Sequence, residues 1–305
     1  MKKDLISIKD LSAKEIGDLF SLTDKLKKQK SRFSKELSGK TLVLVFQKPS
    51  NRTRVSFEVG MYQLGGHSLY LAPHEISLGV RESIEDVAKT LARYSDGIVL
   101  RTYEHQNVLD MARFSDKPVI NGLTDFLHPC QALADVYTIR EKVKNLNGSL
   151  LAYVGDGNNV CNSLLYACAK TRLNINVATP KGYEPDGRVV RESKVIAGSN
   201  SSIRVFRDPK EAVKGADVIY TDVWASMGQE GESRKRKKVF KSFQVNNKLV
   251  KLAKKKVLIM HCLPAHRGQE ITDQVIDSKN SIVFDQAENR MHVQKAVLIK
   301  LLGKK

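Results

Sequence analysis

The feature that most constrains the fold of this chain is the alternation of short β-rich runs with helical patterns along most of its length. Residues 41–46 (TLVLVF) predict a strand, and residues 52–64 predict a helix. In residues 83–94, apolar side chains recur at spacings of three and four, which is typical of one helix face. Strands that alternate with helices favour parallel sheets with helices on both faces.

The same patterns predict further elements along the chain. Strands are predicted over residues 67–71, 97–101, 118–122, 149–154, 175–179, 203–207, 217–223, 256–262 and 282–285. Helices are predicted over residues 107–114, 131–143, 159–170, 186–196 and 288–302. The last of these helices is amphipathic and closes the chain.

The strand–helix pattern restarts near residues 144–149 (KNLNGS), which indicates a domain boundary. A length of 305 residues fits two domains of about 150 residues each. We therefore predict an α/β fold of two doubly wound parallel-sheet domains. A ligand site is expected in the cleft between them, because such sheets bind ligands beyond the carboxyl ends of their strands.

Composition narrows the class of protein. Hydrophobic residues make up 41% of the chain, which is enough for ordinary cores. The apolar runs fall far short of the ~18 residues of a membrane span, and no apolar stretch typical of a secretory signal follows the N-terminal lysines. Four cysteines without a C-x-x-C pair indicate neither a zinc site nor a disulfide framework. We therefore expect a cytoplasmic protein without a metal.

The net charge of +18, from 51 Lys and Arg against 33 Asp and Glu, allows three explanations. One is nucleic-acid binding through phosphate neutralisation. Another is an enzyme whose positive field captures anionic substrates. The third is a solvated, lysine-rich surface. The densest cationic run, residues 234–238, lacks the interleaved aromatic side chains of a nucleic-acid groove and is more typical of a loop flank.

A candidate anion site follows the first predicted strand, at residues 50–54 (SNRTR). Ser50 can cap the helix that begins there, and a helix N-terminus binds phosphate through its N–H groups and its positive dipole end. Arg52 and Arg54 point in different directions, because residues two apart do not share a helix face. One can bind an anion while the other pairs with Glu58. A capped helix without a ligand would explain the same residues.

Polar side chains also follow later strands. Arg101 lies at a strand end, and His128 precedes a helix that begins near residue 129, where proline is favoured. His128 or Gln131 can donate to a carbonyl oxygen, although a capping role needs no ligand. Asp222 lies near the end of another predicted strand and can pair with an ammonium group. Arg290 lies near the start of the last predicted helix and can reach an anion.

Two glycine-containing segments need separate interpretation. Residues 155–160 (GDGNNV) partly match a dinucleotide fingerprint but lack its third glycine, so we do not expect a nicotinamide dinucleotide. Residues 226–233 are flexible enough in composition to form a lid. Cys262 lies at the end of a predicted strand; a cysteine in such a place is either a small buried hydrophobe or a reactive group in a polar setting.

Taken together and in order, these motifs resemble the aspartate/ornithine carbamoyltransferase family over essentially the whole chain. The family's Ser-Thr-Arg-Thr-Arg phosphate motif is similar to residues 50–54, and its His-Pro-x-Gln motif to residues 128–131. The asparagine pair 158–159, residues 222–228 and residues 261–264 (HCLP) are similar to the ornithine branch. The aspartate branch typically has His-Pro-Leu-Pro in place of the cysteine motif.

The resemblance implies that the chain transfers the carbamoyl group of carbamoyl phosphate to the δ-amine of L-ornithine, without a cofactor. The products would be L-citrulline and phosphate. It implies that residues 1–145, joined by a C-terminal helix at 286–305, bind carbamoyl phosphate, and that residues 146–285 bind ornithine. The other expected partners are further copies of the chain in a homotrimer or a higher homo-oligomer. Neither a membrane nor nucleic acid is expected as a partner.

The resemblance also implies the site residues. Those expected to bind carbamoyl phosphate are Ser50, Asn51, Arg52, Thr53, Arg101, His128, Gln131 and Arg290. Those expected to bind ornithine are Asn159, Asp222, Ser226, Met227, Cys262 and Leu263. The expected catalytic residues are Arg101, His128, Asp222 and Cys262.

Two positions depart from the family pattern. Asn51 stands where the family usually has Thr, although its amide and its backbone N–H can still donate. Ser77 stands where many relatives carry a longer Gln or His that helps to complete the site of a neighbouring subunit. Two alternative functions remain: a carbamoyltransferase for another amine, such as putrescine or N-acetylornithine, and a basic nucleic-acid-binding protein on an enzyme-like fold.

Overall fold

The computed structural model describes residues 2–303 except 226, 227 and 229, and only the backbone of residues 30 and 230. The chain divides into two compact units. The first unit comprises Met1–Ala134 and Glu288–Lys305, and the second comprises Asp135–Ala287.

The first unit contains a parallel sheet with strand order β2-β1-β3-β4. Its strands are β1 (Thr41–Phe46), β2 (His67–Leu71), β3 (Gly97–Arg101) and β4 (Val119–Leu123). Its helices are α1 (Ala13–Lys28), α2 (Asn51–Gln63), α3 (Pro73–Ile76), α4 (Ile84–Tyr94) and α5 (His105–Phe114), and α6 (Pro129–Lys142) begins in it.

The core of the first unit forms around its two central strands, which are continuous apolar runs because helices cover both of their faces. All five residues of β3 are buried, as are five of the six residues of β1. Val43, Ile98 and Val87 belong to one core cluster on one face of this sheet. The edge strand β2 is only half-buried.

The second unit contains a parallel sheet with strand order β7-β6-β5-β8-β9. Its strands are β5 (Leu150–Val154), β6 (Asn174–Ala178), β7 (Ile203–Phe206), β8 (Val218–Thr221) and β9 (Leu258–His261). Its helices are α7 (Asn159–Thr171), α8 (Gly187–Ala197), α9 (Pro209–Val213), α10 (Ser233–Phe240), α11 (Asn247–Val250) and α12 (Asp273–Ile276). The last helix, α13 (Val283–Leu302), starts in this unit and ends in the first.

Strand order determines where each unit can bind a ligand. In the first sheet, β1 pairs with β2 on one side and with β3 on the other. In the second sheet, β5 pairs with β6 on one side and with β8 on the other. The connections that leave neighbouring strands at such a point run to opposite faces and open a crevice beyond the carboxyl ends. The segments after β1, β3, β5 and β8 therefore border the candidate crevices.

The predicted fold class of two parallel α/β sheets with helices is confirmed. The predicted strand at residues 282–285 is wrong, because α13 already begins at Val283 and only Ser281 forms an isolated bridge, with Ile259. A short apolar run such as this one fits a strand or a helix start equally well. Helix α1 was not predicted, although Ser12 and Glu15 form a capping box at its start.

Among the described residues, the helices include none that is both long enough and apolar enough to cross a membrane.

Substitution of Gly157, in the segment after β5, tests how closely that segment packs against the backbone of Glu184 and Pro185. A Cβ on Gly157 would lie 2.1 Å from the Pro185 backbone nitrogen, whereas a Cβ on Gly17, inside α1, would meet nothing within 4 Å. We expect Gly157→Ala to destabilise the fold by about 1–3 kcal/mol through overpacking. Gly17→Ala should instead stabilise it by about 1 kcal/mol, because alanine favours helix interiors.

Thermal unfolding followed by circular dichroism measures both variants. An unchanged or higher melting temperature for Gly157→Ala would contradict the close packing of this segment.

Candidate active site

The segment after β1 is a capped helix N-terminus, as predicted. Ser50 is the N-cap of α2 and its Oγ accepts from the Thr53 backbone nitrogen over 3.2 Å. Asn51 is exposed and its Oδ1 accepts from the Arg52 backbone nitrogen over 2.7 Å. The N-terminal N–H groups of α2 and its positive dipole end therefore lie at the carboxyl end of β1, where an anion is favoured.

The two arginines of this segment have different surroundings. Arg54 Nε donates to Glu58 Oε1 over 3.0 Å, and its guanidinium lies 3.9 Å from the ring centre of Tyr70. Arg52 instead lies close enough to His128 to lower the pKa of that imidazole. The division predicted from helix geometry is therefore present, with Arg54 in the ion pair and Arg52 on the side of His128.

Arg290 binds two of the other predicted phosphate-binding residues within the first unit. Its Nη1 donates to Gln131 Oε1 over 3.0 Å, and its Nη2 donates to Thr53 Oγ1 over 2.5 Å. Thr53, Gln131 and Arg290 are all buried. The guanidinium therefore adds a positive charge beside the N-terminus of α2, where burial strengthens its attraction for an anion.

Arg101, at the end of β3, belongs to the same part of the first unit. It is buried, and its Nε donates to the Lys48 backbone oxygen over 3.0 Å. The Lys48 side chain is also buried; it pairs with Asp125, and its ammonium lies 4.2 Å from the ring centre of Tyr103. Sequence reasoning missed Lys48, although this lysine lies only two residues before Ser50.

His128 is neutral at physiological pH. It is buried, and burial lowers the pKa of its imidazole well below the usual range. The cationic side chains of Arg290, Arg101 and Arg52 lower this pKa further, in that order. A neutral imidazole can donate one N–H to a carbonyl oxygen without carrying charge itself. This combination of several cations and a neutral donor suits a ligand with both an anionic group and a carbonyl group.

The second unit presents an amide (Asn158) after β5, a carboxylate (Asp222) after β8 and a thiol (Cys262) after β9. Cys262 Sγ donates to Asp222 Oδ1 over 3.0 Å, and Asn158 Nδ2 donates to Asp222 Oδ2 over 2.7 Å. The pKa of the Cys262 thiol is raised well above its usual value by burial first and by Asp222 next. The thiol is therefore neutral at physiological pH and acts as a hydrogen-bond donor.

The two adjacent asparagines differ in function. Asn158 caps α7, since its Oδ1 accepts from the backbone nitrogens of Val160 and Cys161 over 3.0 and 3.1 Å. Its amide group also reaches Asp222. Asn159, the predicted site residue, is the first residue of α7, and its side chain accepts from the Val160 backbone nitrogen over 2.9 Å. Sequence reasoning left Asn158 out of the site, because an adjacent pair does not reveal which side chain faces inward.

The His261 imidazole stabilises the backbone of Leu263, the residue that follows Cys262. Its Nδ1 accepts from the Leu263 backbone nitrogen over 2.8 Å, so its Nε2 carries the hydrogen and donates to Glu270 Oε1 over 3.1 Å. His261 and Glu270 have no exposed surface. Leu263 has a φ of 58°, a left-handed conformation that non-glycine residues rarely adopt. Its backbone hydrogen bond to His261 supports this conformation.

Asp222, His261 and Cys262 are the described residues whose ligand atoms could surround a metal, since these atoms lie within 4.8 Å of one another. Both His261 nitrogens already have hydrogen-bond partners, and Cys262 and Asp222 bind each other. The arrangement suits hydrogen bonding to a ligand more than metal coordination, and the expectation of no metal stays a prediction.

Arg236 of α10 connects the segment after β8 to the segment after β5. Its Nη1 donates to Asp156 Oδ2 and to the Trp224 backbone oxygen, each over 2.8 Å. Burial raises the pKa of Asp156 to about 6, against the opposing charge of Arg236. Ser226 and Met227, predicted to bind ornithine, lie outside the described residues, as does part of the predicted lid at residues 226–233.

Comparison with known protein families gives this geometry a context. Residues 3–141 match the family described as aspartate/ornithine carbamoyltransferase, carbamoyl-P binding domain. Residues 147–301 match the family described as aspartate/ornithine carbamoyltransferase, Asp/Orn binding domain. The chain belongs to the aspartate/ornithine carbamoyltransferase family, which confirms the resemblance seen in its motifs.

Individual relatives are similar over nearly their whole length. The chain is 52% identical to an ornithine carbamoyltransferase of Thermococcus kodakarensis, covering 99% of this chain and 96% of the relative. It is 53% identical, with the same coverage, to the anabolic ornithine carbamoyltransferase of Pyrococcus furiosus. A solved ornithine carbamoyltransferase structure from Pyrococcus furiosus superposes with a TM-score of 0.95 at 52% identity, covering 99% of this chain and 98% of that one.

The neutrality of His128 can be tested through Arg290. We expect Arg290→Met to raise the pKa of His128 towards its usual value, because the second-largest cause of the depression is removed. Burial remains, so the pKa should stay below 6.5. The pKa is measured by NMR titration of the ring protons, assigned with a His128→Gln variant.

Arg54→Met is the matched control, because Arg54 pairs with Glu58 and is not a cause of the His128 shift. A His128 pKa that is the same in the wild type, Arg290→Met and Arg54→Met would contradict the arrangement of cations around His128.

Proposed function

We propose that this chain is an ornithine carbamoyltransferase, which transfers the carbamoyl group of carbamoyl phosphate to the δ-amine of L-ornithine. The observation that carries the proposal is the 52–53% identity, over nearly full length, to proteins of that name. The geometry agrees with it. One unit presents a helix N-terminus and arginine side chains that favour an anion, and the other presents a carboxylate beside a neutral thiol. The full-length similarity supports neither of the two alternatives, a carbamoyltransferase for another amine or a nucleic-acid-binding protein.

In this proposal, residues 1–145 with 286–305 bind carbamoyl phosphate. The phosphate lies at the N-terminus of α2, against Ser50, Asn51, Arg52 and Thr53. The buried guanidinium of Arg290 supplies further charge, and a planar guanidinium can bind two phosphate oxygens at once. The side chains of Arg101, His128 and Gln131 are directed to the carbamoyl end of the same ligand.

Arg101 and His128 stabilise the transition state. When the amine nitrogen attacks the carbamoyl carbon, negative charge develops on the carbonyl oxygen. Arg101 offers fixed positive charge, and the neutral His128 offers an N–H. Preorganised donors of this kind each contribute about 3–4 kcal/mol to catalysis. Burial of both side chains strengthens the effect, because water does not compete for the oxygen.

In the same proposal, residues 146–285 bind ornithine, with Asp222 and Cys262 at the δ-amine. Asn159, Ser226, Met227 and Leu263 lie towards the amino-acid end. An alkylammonium has a pKa of about 10.4, so only about one molecule in a thousand is neutral and nucleophilic at pH 7. The carboxylate of Asp222 attracts the ammonium form, and the site must then release one proton from it.

The reaction balances without a covalent intermediate. The amine nitrogen forms a bond to the carbamoyl carbon, and the bond from that carbon to the oxygen that bridges it to phosphorus breaks. The neutral amine loses one proton, which leaves with the phosphate as hydrogen phosphate. Because the Cys262 thiol is neutral and donates to Asp222, its proposed role is to orient the carboxylate and the amine rather than to attack the substrate.

The proposal extends to a cytoplasmic enzyme that assembles as a homotrimer or a higher homo-oligomer. Its support is the family membership. Light scattering after size-exclusion chromatography measures the assembly, and a monomer at assay concentration would contradict this part.

The direct test is product formation with carbamoyl phosphate and one amine at a time. We expect citrulline from ornithine, and at least 100-fold lower kcat/KM with putrescine or N-acetylornithine. Putrescine lacks the α-carboxylate and the α-amine, and N-acetylornithine carries a blocked α-amine. The absence of citrulline with ornithine, or a preference for either other amine, would refute the proposed substrate.

Cys262→Ser separates an orienting role from a nucleophilic one. A serine hydroxyl can also donate to Asp222 but is shorter and has different geometry, so we expect citrulline formation to slow by about 10- to 1,000-fold and not to disappear. Steady-state kinetics measure the loss. Complete inactivity of Cys262→Ser, together with a trapped carbamoyl-thioester in the unmodified enzyme, would establish a covalent nucleophile instead.

A further inference from the structure

The backbone segments that leave β3 and β4 run side by side in the first unit. The Asp125 backbone nitrogen donates to the Tyr103 backbone oxygen over 2.8 Å. Arg101 ends β3, and His128 directly precedes α6. Residues 124–127, here called the 124–127 turn, connect β4 to His128. The conformation of this turn therefore determines where His128 lies relative to Arg101.

Thr124 organises the 124–127 turn through three hydrogen bonds. Its backbone nitrogen donates to the Leu127 backbone oxygen over 2.9 Å. Its Oγ1 accepts from the backbone nitrogens of Leu127 and Phe126, over 3.0 and 3.3 Å. Thr124 has no exposed surface, and Leu127 is 3% exposed. One buried threonine thus defines the backbone that leads directly into His128.

His105, the first residue of α5, contacts the 124–127 turn twice. Its Nδ1 lies 3.0 Å from Thr124 Oγ1. Its ring also meets the Phe126 ring edge to face, with centroids 5.3 Å apart and an interplanar angle of 63°. His105 is half-buried and, like the turn, belongs to the first unit. The start of α5 therefore supports the turn through a polar contact and an aromatic contact.

The hydrogen bond between Thr124 and His105 has a definite direction. A hydroxyl has one hydrogen and two lone pairs, and both lone pairs of Thr124 Oγ1 already accept from backbone nitrogens. Its hydrogen can reach His105 Nδ1 at 3.0 Å or the Leu127 backbone oxygen at 3.4 Å. The second distance exceeds the usual range of an O–H···O bond. The hydroxyl therefore donates to Nδ1, and the His105 imidazole is the acceptor.

This acceptor fixes the rotation of the Thr124 hydroxyl. While the hydrogen points at His105, both lone pairs face the N–H groups of the turn. Without the acceptor, the hydrogen can rotate towards the Leu127 oxygen, and a lone pair then turns away from one of the two N–H groups. The 124–127 turn would lose a hydrogen bond directly before His128.

We propose that His105 is a positioning residue for carbamoyl transfer: by accepting from the Thr124 hydroxyl, it holds the 124–127 turn in the conformation that directs His128 to the carbonyl oxygen of carbamoyl phosphate. This inference rests on the proposed function. In that function the phosphate is bound at the N-terminus of α2 and ornithine by the second unit. Loss of the contact should therefore affect the chemical step more than the binding of either substrate.

His105→Phe tests the inference, because it retains a ring against Phe126 and removes the acceptor. We expect kcat for citrulline formation to fall at least fivefold, with the KM of each substrate changed less than threefold. His105→Asn should restore kcat to within twofold of the wild type. The Asn Oδ1 and the His Nδ1 are both bonded to Cγ, so this variant keeps an acceptor for Thr124 while it loses the ring.

A second variant shows whether His105 acts through His128. His128→Leu removes the donor to the carbonyl oxygen, so adding His105→Phe to it should lower kcat no further. His67→Phe is the matched control, because His67 is exposed and lies at the amino end of β2, away from the carboxyl ends of the strands. It should leave kcat and both KM values unchanged.

Hydrogen exchange gives a readout that does not depend on activity. The backbone N–H groups of Phe126 and Leu127 both donate to Thr124 Oγ1. In His105→Phe, a peptide that covers residues 124–128 should exchange these amides at least 10-fold faster than in the wild type. In His105→Asn the exchange should remain within threefold of the wild type. Mass spectrometry of the full-length protein measures both.

Unchanged exchange at residues 126 and 127 in a folded His105→Phe protein would overturn the inference. So would a loss of kcat that His105→Asn does not restore, or one that adds in full to the loss in His128→Leu, since either result describes a purely structural role. If His105→Phe does not fold, Thr124→Val removes the same hydrogen bond from its other end, and a wild-type kcat in that variant would overturn the inference.

The proposed function and this inference can fail separately. If the wild type makes no citrulline, the proposed function fails, while faster exchange in His105→Phe still supports the contact between His105 and the 124–127 turn. If the wild type makes citrulline and His105→Phe matches it in kcat, the proposed function stands and the positioning role of His105 is refuted.

Discussion

The first unit depends on the burial of the Arg290 guanidinium. A buried cation must have partners, and Arg290 finds them in Gln131 and Thr53, which lie on two different helices. These contacts bring the start of α2 and the start of α6 to one place. The same charge helps to keep His128 neutral, so that the imidazole remains a donor rather than a further cation. The buried charge to which we assign a role in phosphate binding thus also contributes, after burial itself, to the low pKa of His128.

In the second unit the buried group that needs partners is an anion, the carboxylate of Asp222, and not a cation. Both oxygens of Asp222 receive hydrogen bonds, one from Asn158 and one from Cys262. One of these donors, Asn158, also accepts from the Tyr153 hydroxyl, and the Tyr153 ring stacks on that of Tyr220. A carboxylate held by two fixed donors keeps its orientation, which suits the binding of an ammonium group. The neutrality of the thiol agrees with this role, since burial raises the pKa of Cys262.

Local sequence patterns were sufficient for most of the fold. The apolar run of β1 and the serine cap of α2 predicted both elements, because each signal lies in a few consecutive residues. The short run at residues 282–285 was assigned wrongly, since a few apolar residues do not distinguish a strand from the start of α13. Helix α1 carried a capping box that would have revealed it. The sequence could place candidate site residues at strand ends because parallel strands bring their carboxyl ends to one edge of the sheet.

By itself, the sequence determined most of the strands and helices, which polar residues lie at the strand ends, and which family the motifs resemble. Only the tertiary structure decided the partners. It showed that Asn158 rather than Asn159 donates to Asp222, that Lys48 is buried and accepts a backbone hydrogen bond from Arg101, and that Asp135 binds Gln286, 151 residues away in the chain. The reason is physical: capping and periodicity act over a few residues, whereas a buried polar group finds its partner only when separate strands and helices pack together.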